Sequence, residues 1–352
     1  MRKFLAIATI LVMCAACGGG PSPLPSVSPS PSPSLSPSAS ASAEPATVRL
    51  ALDWTPNTNH TGFFVAQQMG WYADAAITLR ILPYSGTAPD TLVGQHQADC
   101  GITFQDTLTF AVASGVKETS VMAILQRAAS EIAVLADSGI ERPRELDGRT
   151  YGGFGYPNEA PTLTFVIQHD GGKGDFKNVV IDTAAYEALY AKRVDFTIPF
   201  TAWEGVEADL RGIDLRYFAF TDYGFPEFYQ VVLACNPEWL AREPDAARRF
   251  VAATVRGFEL AARDPDAAAG MLIAENPGAF EANPELPRAS AQLLATEGYY
   301  LDGGGRVGTQ TLERWQGYSG FLYDQGLLVD GVGKPLTSPP DYSTLFTNDF
   351  LP

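Results

Sequence analysis

A dense group of aromatic and polar side chains lies between residues 53 and 62, in the phrase Asp-Trp-Thr-Pro-Asn-Thr-Asn-His-Thr-Gly. The phrase follows a predicted strand and leads into a predicted helix. It therefore occupies the carboxyl end of a strand, where open α/β sheets bind their ligands. Trp54 offers a flat face for an aromatic ring, and Asn57, Asn59 and His60 offer donors and acceptors without fixed charge. We predict that these four residues contact a small aromatic ligand.

Three other phrases place similar side chains near the ends of predicted strands, at 103–106, 151–159 and 203–208. An aromatic cluster at 223–229 precedes a predicted crossing between two lobes, where closure would bring side chains over a bound ligand. The further candidate ligand contacts are Gln105, Asp106, Phe154, Tyr156, Glu159, Trp203, Glu204 and Tyr223. Glu159 has a second interpretation, as a carboxylate that interacts with a helix dipole.

The glycines at 152, 153 and 155 do not form a nucleotide-binding motif, because the GxGxxG spacing and the Gly-Lys-Ser/Thr ending are both missing. We expect these glycines to let the backbone approach a ligand closely. None of the site phrases contains Lys or Arg, which sites for sulfonate, phosphate or nitrate normally provide. A neutral or weakly basic heteroaromatic ligand is therefore favoured. The three histidines are scattered and form no HExxH motif, so no metal site is predicted.

The N-terminus predicts a lipoprotein signal peptide at residues 1–16. Arg2 and Lys3 precede an apolar run over 4–13, which is too short to span a bilayer and is typical of a secretory signal. Small residues before Cys17 resemble a bacterial lipobox, so we expect an extracytoplasmic protein anchored to the cell membrane by lipid on Cys17. Simple secretory cleavage is the alternative.

Residues 17–46 are rich in Pro, Ser, Ala and Gly, which predicts a semi-extended tether between the anchor and a folded body. The body is long enough for two lobes with separate cores. The full chain has a formal net charge of −16. This charge argues against nucleic acid as a partner, because a phosphate backbone requires a basic surface.

Cys100 and Cys235 remain once Cys14 is cleaved off and Cys17 carries the anchor. Both lie in apolar runs that predict strands. We therefore expect two buried free thiols in preference to a disulfide.

Apolar runs of four to eight residues alternate with helical patterns, which predicts an α/β protein with a mainly parallel sheet in each lobe. The predicted strands are 48–53, 77–84, 100–104, 121–125, 132–136, 150–154, 179–182, 196–199, 216–219 and 229–234. Beyond residue 236 the pattern is almost wholly helical, at 244–263, 265–274, 286–300 and 310–325. A further helix is predicted after Asn158, which is a plausible N-cap, with Pro161 in its first turn.

We expect the chain to leave the first lobe near 136–140 and to return near 228–232. Lobe one then comprises residues 47–138 and 230–352, and lobe two comprises residues 139–229. We expect the protein to be a monomer.

The sequence resembles the bacterial solute-binding proteins that are related to the eukaryotic thiamine-pyrimidine synthases, a group that includes formylaminopyrimidine-binding and riboflavin-binding proteins. The resemblance covers residues 48 to about 276 and rests on four phrases, at 53–62, 103–106, 151–159 and 203–208. It implies the type II periplasmic-binding-protein fold and a role in an ABC importer, in which the lipoprotein delivers its ligand to a membrane permease. Family members often carry Trp at the position of Phe154 and a small residue at that of Tyr156, so the shape of this wall differs here.

The resemblance also raises the possibility of an enzyme, since the eukaryotic relatives make the thiamine pyrimidine. Those relatives carry a lysine for pyridoxal phosphate and a cysteine-rich iron motif. Neither is found here, because no Lys lies between residues 47 and 116 and the strand at 229–235 has a single Cys. We therefore expect a binding protein that has no catalytic residues and no cofactor. A structural or adhesive lipoprotein is a further alternative, which the aromatic site phrases disfavour.

Riboflavin and formylaminopyrimidine are the two ligands that the resemblance suggests. The aromatic side chains near the site exceed what a single pyrimidine ring needs, and they favour riboflavin. The carboxylates of Asp106, Glu159 and Glu204 suit an aminopyrimidine, which remains the alternative.

Overall fold

The structure is a computed structural model that describes residues 43–352, together with Gly20. The predicted signal peptide, the lipid on Cys17 and nearly all of the tether lie outside the described residues. Within the part that the structure describes, no helix is both long and apolar enough to cross a membrane.

Every predicted strand is present in the described part of the chain. The bounds are β1 Ala46–Ala51, β2 Ile77–Leu82, β3 Cys100–Thr103, β4 Thr119–Ala123, β5 Ile132–Leu135, β6 Thr150–Gly153, β7 Lys177–Val180, β8 Phe196–Thr197, β9 Leu215–Phe218 and β10 Val232–Cys235. These strands form two 5-stranded sheets, with the orders β2-β1-β3-β10-β4 and β7-β6-β8-β5-β9.

Both sheets are mixed. In the first sheet β1 is parallel to β2 and β3, whereas β10 is antiparallel to β3 and β4. In the second sheet β6 is parallel to β7 and β8, whereas β5 is antiparallel to β8 and β9. The prediction of mainly parallel sheets holds for strand direction, because only β10 and β5 run against their neighbours. Each of these two strands directly follows a crossing between the sheets.

Helices flank both sheets and make up most of the C-terminal region, as predicted. Their bounds are α1 Thr61–Gln68, α2 Trp71–Asp74, α3 Pro89–Gly94, α4 Gln105–Ala113, α5 Glu159–His169, α6 Ala184–Tyr190, α7 Val206–Leu210, α8 Pro237–Arg242, α9 Pro244–Arg263, α10 Pro265–Glu275, α11 Leu286–Thr296 and α12 Leu312–Asp324. Pro occupies the first turn of α9 and of α10, where its missing N–H costs nothing.

The first crossing lies earlier than the sequence predicts. β4 ends at Ala123 in the first sheet, and β5, which begins at Ile132, already belongs to the second sheet. The prediction of a crossing at 136–140 was wrong because an apolar run carries no information about which sheet its strand joins.

The return crossing falls between β9 and β10, over residues 219–231, which overlap the predicted 228–232 segment. The outward crossing lies beside it, since the N–H groups of Ile124 and Leu125 donate to the carbonyl oxygen of Val231 at 2.9 and 3.1 Å. The two connections between the sheets are therefore hydrogen-bonded to each other at their lobe-one ends.

A disulfide joins Cys100 on β3 to Cys235 on β10, so the expectation of two free thiols was wrong. The two residues face each other in the antiparallel pairing of these strands. The N–H of the neighbouring Asn236 donates to the carbonyl oxygen of Asp99 at 3.0 Å. The cysteines are therefore a non-hydrogen-bonded pair, the type whose side chains approach most closely. This register could not be read from the sequence.

Helix α9 packs across α1 and anchors the first lobe. Its buried residues recur every three or four positions and include Phe250, Thr254 and Phe258. Gly257 allows the two helices to touch, because a Cβ atom there would lie 1.9 Å from the carbonyl oxygen of Gly62. Since α1 begins within the 53–62 phrase, this contact fixes the end of the candidate site loop.

Candidate functional site

A cavity of about 320 Å³ lies between the two sheets, where the strands of both lobes end. Its size is at the lower end of the range for sites that bind drug-sized ligands. Both lobes contribute to the lining, which comprises Asp53, Trp54, Asn57, Thr58, Asn59, Phe104, Asp106, Thr107, Ser130, Tyr151, Phe154, Tyr156, Asn158, Glu159, Thr162, Asp182, Thr183, Tyr186, Ile198, Phe200, Trp203, Glu204, Phe220, Phe225, Phe228, Gln230 and Tyr318. Most of the predicted contacts belong to this set.

His60 does not line the cavity, contrary to the prediction. Its ring is fully buried, where Nε2 lies 2.6 Å from Asp53 Oδ1 and Nδ1 accepts the N–H of Asn57 at 3.2 Å. An Nδ1 that accepts a hydrogen bond leaves the proton on Nε2, so the ring donates to Asp53. His60 therefore braces the 53–62 loop and leaves Asp53 and Asn57 at the cavity wall.

Aromatic rings from both lobes face the cavity. Trp54 in the first lobe is 46% exposed, and its ring lies 5.2 Å from that of Tyr84. Phe154 in the second lobe lies 5.6 Å from the ring of Tyr186, and the exposed Tyr156 adds a further ring. A flat ligand between these groups would meet aromatic faces on two sides.

Gln105 and Tyr223 also lie outside the cavity lining, contrary to the prediction. Gln105 is buried, and its side-chain oxygen accepts the N–H of Tyr229 at 2.9 Å while its Nε2 donates to the carbonyl oxygen of Trp315 at 3.2 Å. It serves to fix α12 against the first lobe. In the aromatic cluster at 223–229, Phe225 and Phe228 line the cavity instead of Tyr223.

Asp106 is linked to the other lobe. Its Oδ2 accepts hydrogen bonds from Nδ2 of Asn158 at 2.8 Å and from the hydroxyl of Tyr318 at 3.3 Å, and its Oδ1 accepts the N–H of Thr107 at 2.8 Å. Burial raises the pKa of Asp106, although these hydrogen bonds oppose the shift. Burial also raises the pKa of Tyr318, with a contribution from the charge of Asp106.

Glu159 organises the loop that precedes it. Its carboxylate accepts the N–H groups of Phe154 at 3.1 Å, Gly155 at 3.2 Å and Tyr156 at 3.3 Å. Burial raises the pKa of Glu159, and the same backbone donors act in the opposite direction. The carboxylate thus forms part of the cavity wall. Most of its hydrogen bonds, however, are made to backbone N–H groups of its own lobe.

The glycines of this loop serve packing within lobe two. A Cβ atom on Gly152 would lie 3.1 Å from Val194, and one on Gly153 would lie 2.7 Å from Glu159 Oε2. Gly155 has φ of +95°, which favours glycine. The described residues thus account for these glycines without a ligand, in contrast to the role that the sequence suggested.

Trp203 and Glu204 follow β8 in a π-helical turn, Thr201–Gly205, and both line the cavity. The Trp203 ring lies 6.4 Å from that of Phe280 in the first lobe. Glu204 accepts the N–H of Phe200 at 3.0 Å. Burial raises its pKa to about 7, so this carboxyl group changes charge near neutral pH.

The ionisable side chains that carry charge in the described cavity wall are acidic. Its acidic members are Asp53, Asp106, Glu159, Asp182 and Glu204, and among the described residues that form the wall none is Lys or Arg. Such a wall disfavours an anionic ligand and suits a neutral or weakly basic one.

Several residues that line the cavity were not predicted from the sequence. Tyr318 comes from α12, in a region that the sequence presents only as a helical tail. A signal was available in the spacing of Trp315, Tyr318 and Leu322, which are buried along one face of that helix. Asp182, Thr183 and Tyr186 follow β7 and gave no distinctive phrase.

The two sheets and the cavity at their facing strand ends define the fold of the solute-binding proteins of ABC importers. Solved structures support this assignment. The chain is similar to the periplasmic aliphatic sulphonate binding protein SsuA from Escherichia coli, with a TM-score of 0.64 and 15% identity over 87% of this chain and 99% of that one. Residues 57–268 match the family described as NMT1/THI5 like, and the chain belongs to this family.

The relatives found by sequence comparison include binding proteins and a synthase. The chain is 26% identical to the formylaminopyrimidine-binding protein of Halalkalibacterium halodurans, over 85% of this chain and 90% of that protein. It is 24% identical to the riboflavin-binding protein RibY of Chloroflexus aurantiacus, over 87% and 86%. It is also 27% identical to the 4-amino-5-hydroxymethyl-2-methylpyrimidine phosphate synthase of Legionella pneumophila, over 65% and 74%.

Proposed function

We propose that this chain is an extracytoplasmic solute-binding lipoprotein that captures riboflavin and delivers it to the permease of an ABC importer. The observation that carries the proposal is the cavity itself. Aromatic rings from both lobes face it, among them Trp54, Phe154 and Tyr186, and its wall carries no basic side chain among the described residues. A three-ring flavin is neutral and flat, so it can use both aromatic faces at once.

The polar lining suits the hydroxylated chain of riboflavin. Asn57, Asn59 and Thr58 supply amide and hydroxyl groups at the first-lobe side. The Oδ1 atom of Asn59 is buried and has no hydrogen-bond partner among the described residues. A buried acceptor of this kind favours a ligand that donates an O–H to it.

Formylaminopyrimidine is the second candidate ligand. The carboxylates of Asp106 and Glu204 at the wall suit the amino group of such a ligand, and a relative named for binding it covers most of the chain. A single pyrimidine ring would use fewer of the aromatic residues, which is why riboflavin is preferred.

Binding is favoured over catalysis. The synthases in the family depend, by the resemblance, on a lysine that holds pyridoxal phosphate, and the described residues that line this cavity include no lysine. We therefore propose a carrier whose two lobes close on the ligand, with no chemical step.

The location outside the cytoplasmic membrane is supported by the Cys100–Cys235 disulfide, since disulfides persist mainly in oxidising compartments. Anchoring by lipid on Cys17 is tested by metabolic labelling with a radioactive fatty acid. The expected result is label on the wild-type protein and none on a Cys17→Ser variant, which would be released from membranes. Equal membrane retention of both proteins would contradict the lipid anchor.

The ligand proposal is tested by isothermal titration of the purified protein with riboflavin and with formylaminopyrimidine. Riboflavin should bind, quench tryptophan fluorescence, and raise the melting temperature in proportion to the logarithm of its concentration. Binding of formylaminopyrimidine alone would replace riboflavin by the second candidate. Absence of binding to both compounds would overturn both.

A further inference from the structure

Asn158 occupies the N-cap position of α5, but its side chain makes no cap hydrogen bond. Asn is favoured at this position because its side-chain oxygen normally accepts an N–H of the first turn. Here the amide reaches the other lobe instead. Nδ2 donates to Asp106 Oδ2 at 2.8 Å and to the hydroxyl oxygen of Tyr318 at 2.7 Å.

The three side chains form a closed set of hydrogen bonds, since the Tyr318 hydroxyl also donates to Asp106 Oδ2 at 3.3 Å. Asp106 lies in the first turn of α4 in lobe one. Tyr318 lies on α12, a helix that contacts both lobes, since it packs on α4 and its Phe321 ring lies 5.6 Å from that of Phe165 on α5. Asn158 is the member that belongs to lobe two. The Asn158–Asp106 bond therefore joins the two lobes directly, and opening of the cleft would break it.

The amide of Asn158 can adopt only one orientation in this set. Asp106 Oδ2 accepts from both neighbours, so the Asn158 atom that faces it must be the donor Nδ2. The Oδ1 atom is thereby directed away from Asp106. It is buried, belongs to a residue that lines the cavity, and has no hydrogen-bond partner among the described residues. Tyr151 and Thr162 also line the cavity, and their hydroxyl groups are likewise buried without a hydrogen-bond partner among the described residues.

We propose that Asn158 is a closure latch, whose amide N–H groups join the lobes through Asp106 and Tyr318 while its Oδ1 accepts a hydrogen bond from the bound ligand. The inference rests on the proposed binding function and extends it by naming the residue that couples occupancy to closure. It requires a ligand that presents an N–H or O–H at this end of the cavity, a group that both candidate ligands possess.

The coupling follows from the orientation of the amide. When the lobes separate, Asn158 loses Asp106, the partner that sets the orientation of its amide, so a ligand donor meets an oriented Oδ1 acceptor only in the closed form. A ligand shifts an equilibrium between two forms only by the difference in its affinity for them. The latch supplies such a difference from a single side chain.

The test is Asn158→Asp, examined by small-angle X-ray scattering without ligand and by riboflavin titration. The substitution keeps the shape of the side chain and suits a helix start, but it sets a carboxylate against Asp106. We expect a larger radius of gyration and riboflavin binding weaker by about tenfold or more. Tyr318→Phe, which keeps the ring packing and removes the hydroxyl, should change both quantities in the same direction to a smaller extent.

Two further variants isolate the latch. Gln95→Glu adds the same charge at an exposed position and should leave both quantities unchanged. The exchange Asp106→Asn with Asn158→Asp restores a donor–acceptor pair and should return the radius of gyration to the wild-type value. An unchanged radius in Asn158→Asp, or no recovery in the exchanged protein, would overturn the latch. Failure of the wild-type protein to bind riboflavin would count against that ligand alone, since the scattering comparison uses none.

Discussion

The imidazole of His60 donates to Asp53 across 2.6 Å, and these two residues enclose Trp54 and the rest of the first site loop between them. Asn57 lies inside the same loop, where its side-chain oxygen accepts the N–H of Asn59 at 2.9 Å and its own N–H is bound by His60. The loop is thus held by contacts of its own. Trp54 is free of these contacts and presents its ring to the cavity.

Replacement of Trp54 by Ala should weaken riboflavin binding by at least about tenfold, or about 1.4 kcal/mol. The side chain is 46% exposed, so its loss should leave the fold intact. Fluorescence titration measures the affinity. Met69→Ala removes a side chain that is 45% exposed and lies outside the cavity lining, and it should bind as the wild type does. Unchanged affinity in Trp54→Ala would remove this residue from the site.

Loss of the Cys100–Cys235 disulfide should destabilise the protein by about 2–4 kcal/mol, because the bond closes a long loop in the unfolded chain. The double variant Cys100→Ala and Cys235→Ala is compared with the wild type by urea denaturation. Alkylation of the denatured wild-type protein without reductant should modify neither residue. Modification of both would restore the interpretation as free thiols.

Stability should fall as pH rises through the range in which Glu204 ionises. The folded-state pKa of about 7 exceeds the ordinary glutamate value of 4.5, so the folded state binds this proton more tightly than the unfolded state does. Tighter binding of this proton stabilises the folded state by about 3 kcal/mol below about pH 4.5, and this stabilisation is lost by about pH 7.

Glu204→Gln should therefore be more stable than the wild type at pH 8 and nearly equal to it at pH 4.5, by urea denaturation at each pH. Its side-chain oxygen can still accept the N–H of Phe200. Glu281→Gln, at an exposed position, is the control and should show little change. Equal stability of Glu204→Gln and wild type at pH 8 would contradict a raised pKa.

The acidic pair Asp90 and Glu118 should also make the protein less stable as the pH rises. Both are buried in the first lobe, and Thr103 donates its hydroxyl to Asp90 at 2.9 Å. Burial raises the pKa of each, and the charge of Asp90 raises that of Glu118 further. Glu118→Gln, whose amide can donate to Asp90, should raise the free energy of unfolding at pH 8, as measured by urea denaturation. The exposed Glu281→Gln serves as the control, and a less stable Glu118→Gln protein would contradict the prediction.

The strands and helices were predictable because their signals are local. Apolar runs and prolines give each of the ten strands and the starts of α9 and α10 without knowledge of their neighbours. Pairing between distant segments decides which sheet contains β5 and which residue bonds to Cys100. A run of apolar residues does not reveal this pairing.

The site was predictable to the extent that its residues lie just after strands. Trp54, Asp106 and Phe154 were found in this way and line the cavity. His60 and Gln105 carry the same signal, but their side chains turn inward and hold the backbone, a choice that depends on packing. Tyr318 was missed because α12 reaches the cavity only through the tertiary fold.

The Cys100–Cys235 bond has a consequence for the covalent topology of the chain. The two cysteines are 135 residues apart, and the whole second sheet lies within that interval. Lobe two is therefore part of a covalent ring that is closed at the centre of the first sheet. A protease that cuts one loop of lobe two would open the ring without releasing a fragment, and the N-terminal and C-terminal pieces would separate on a gel only after reduction.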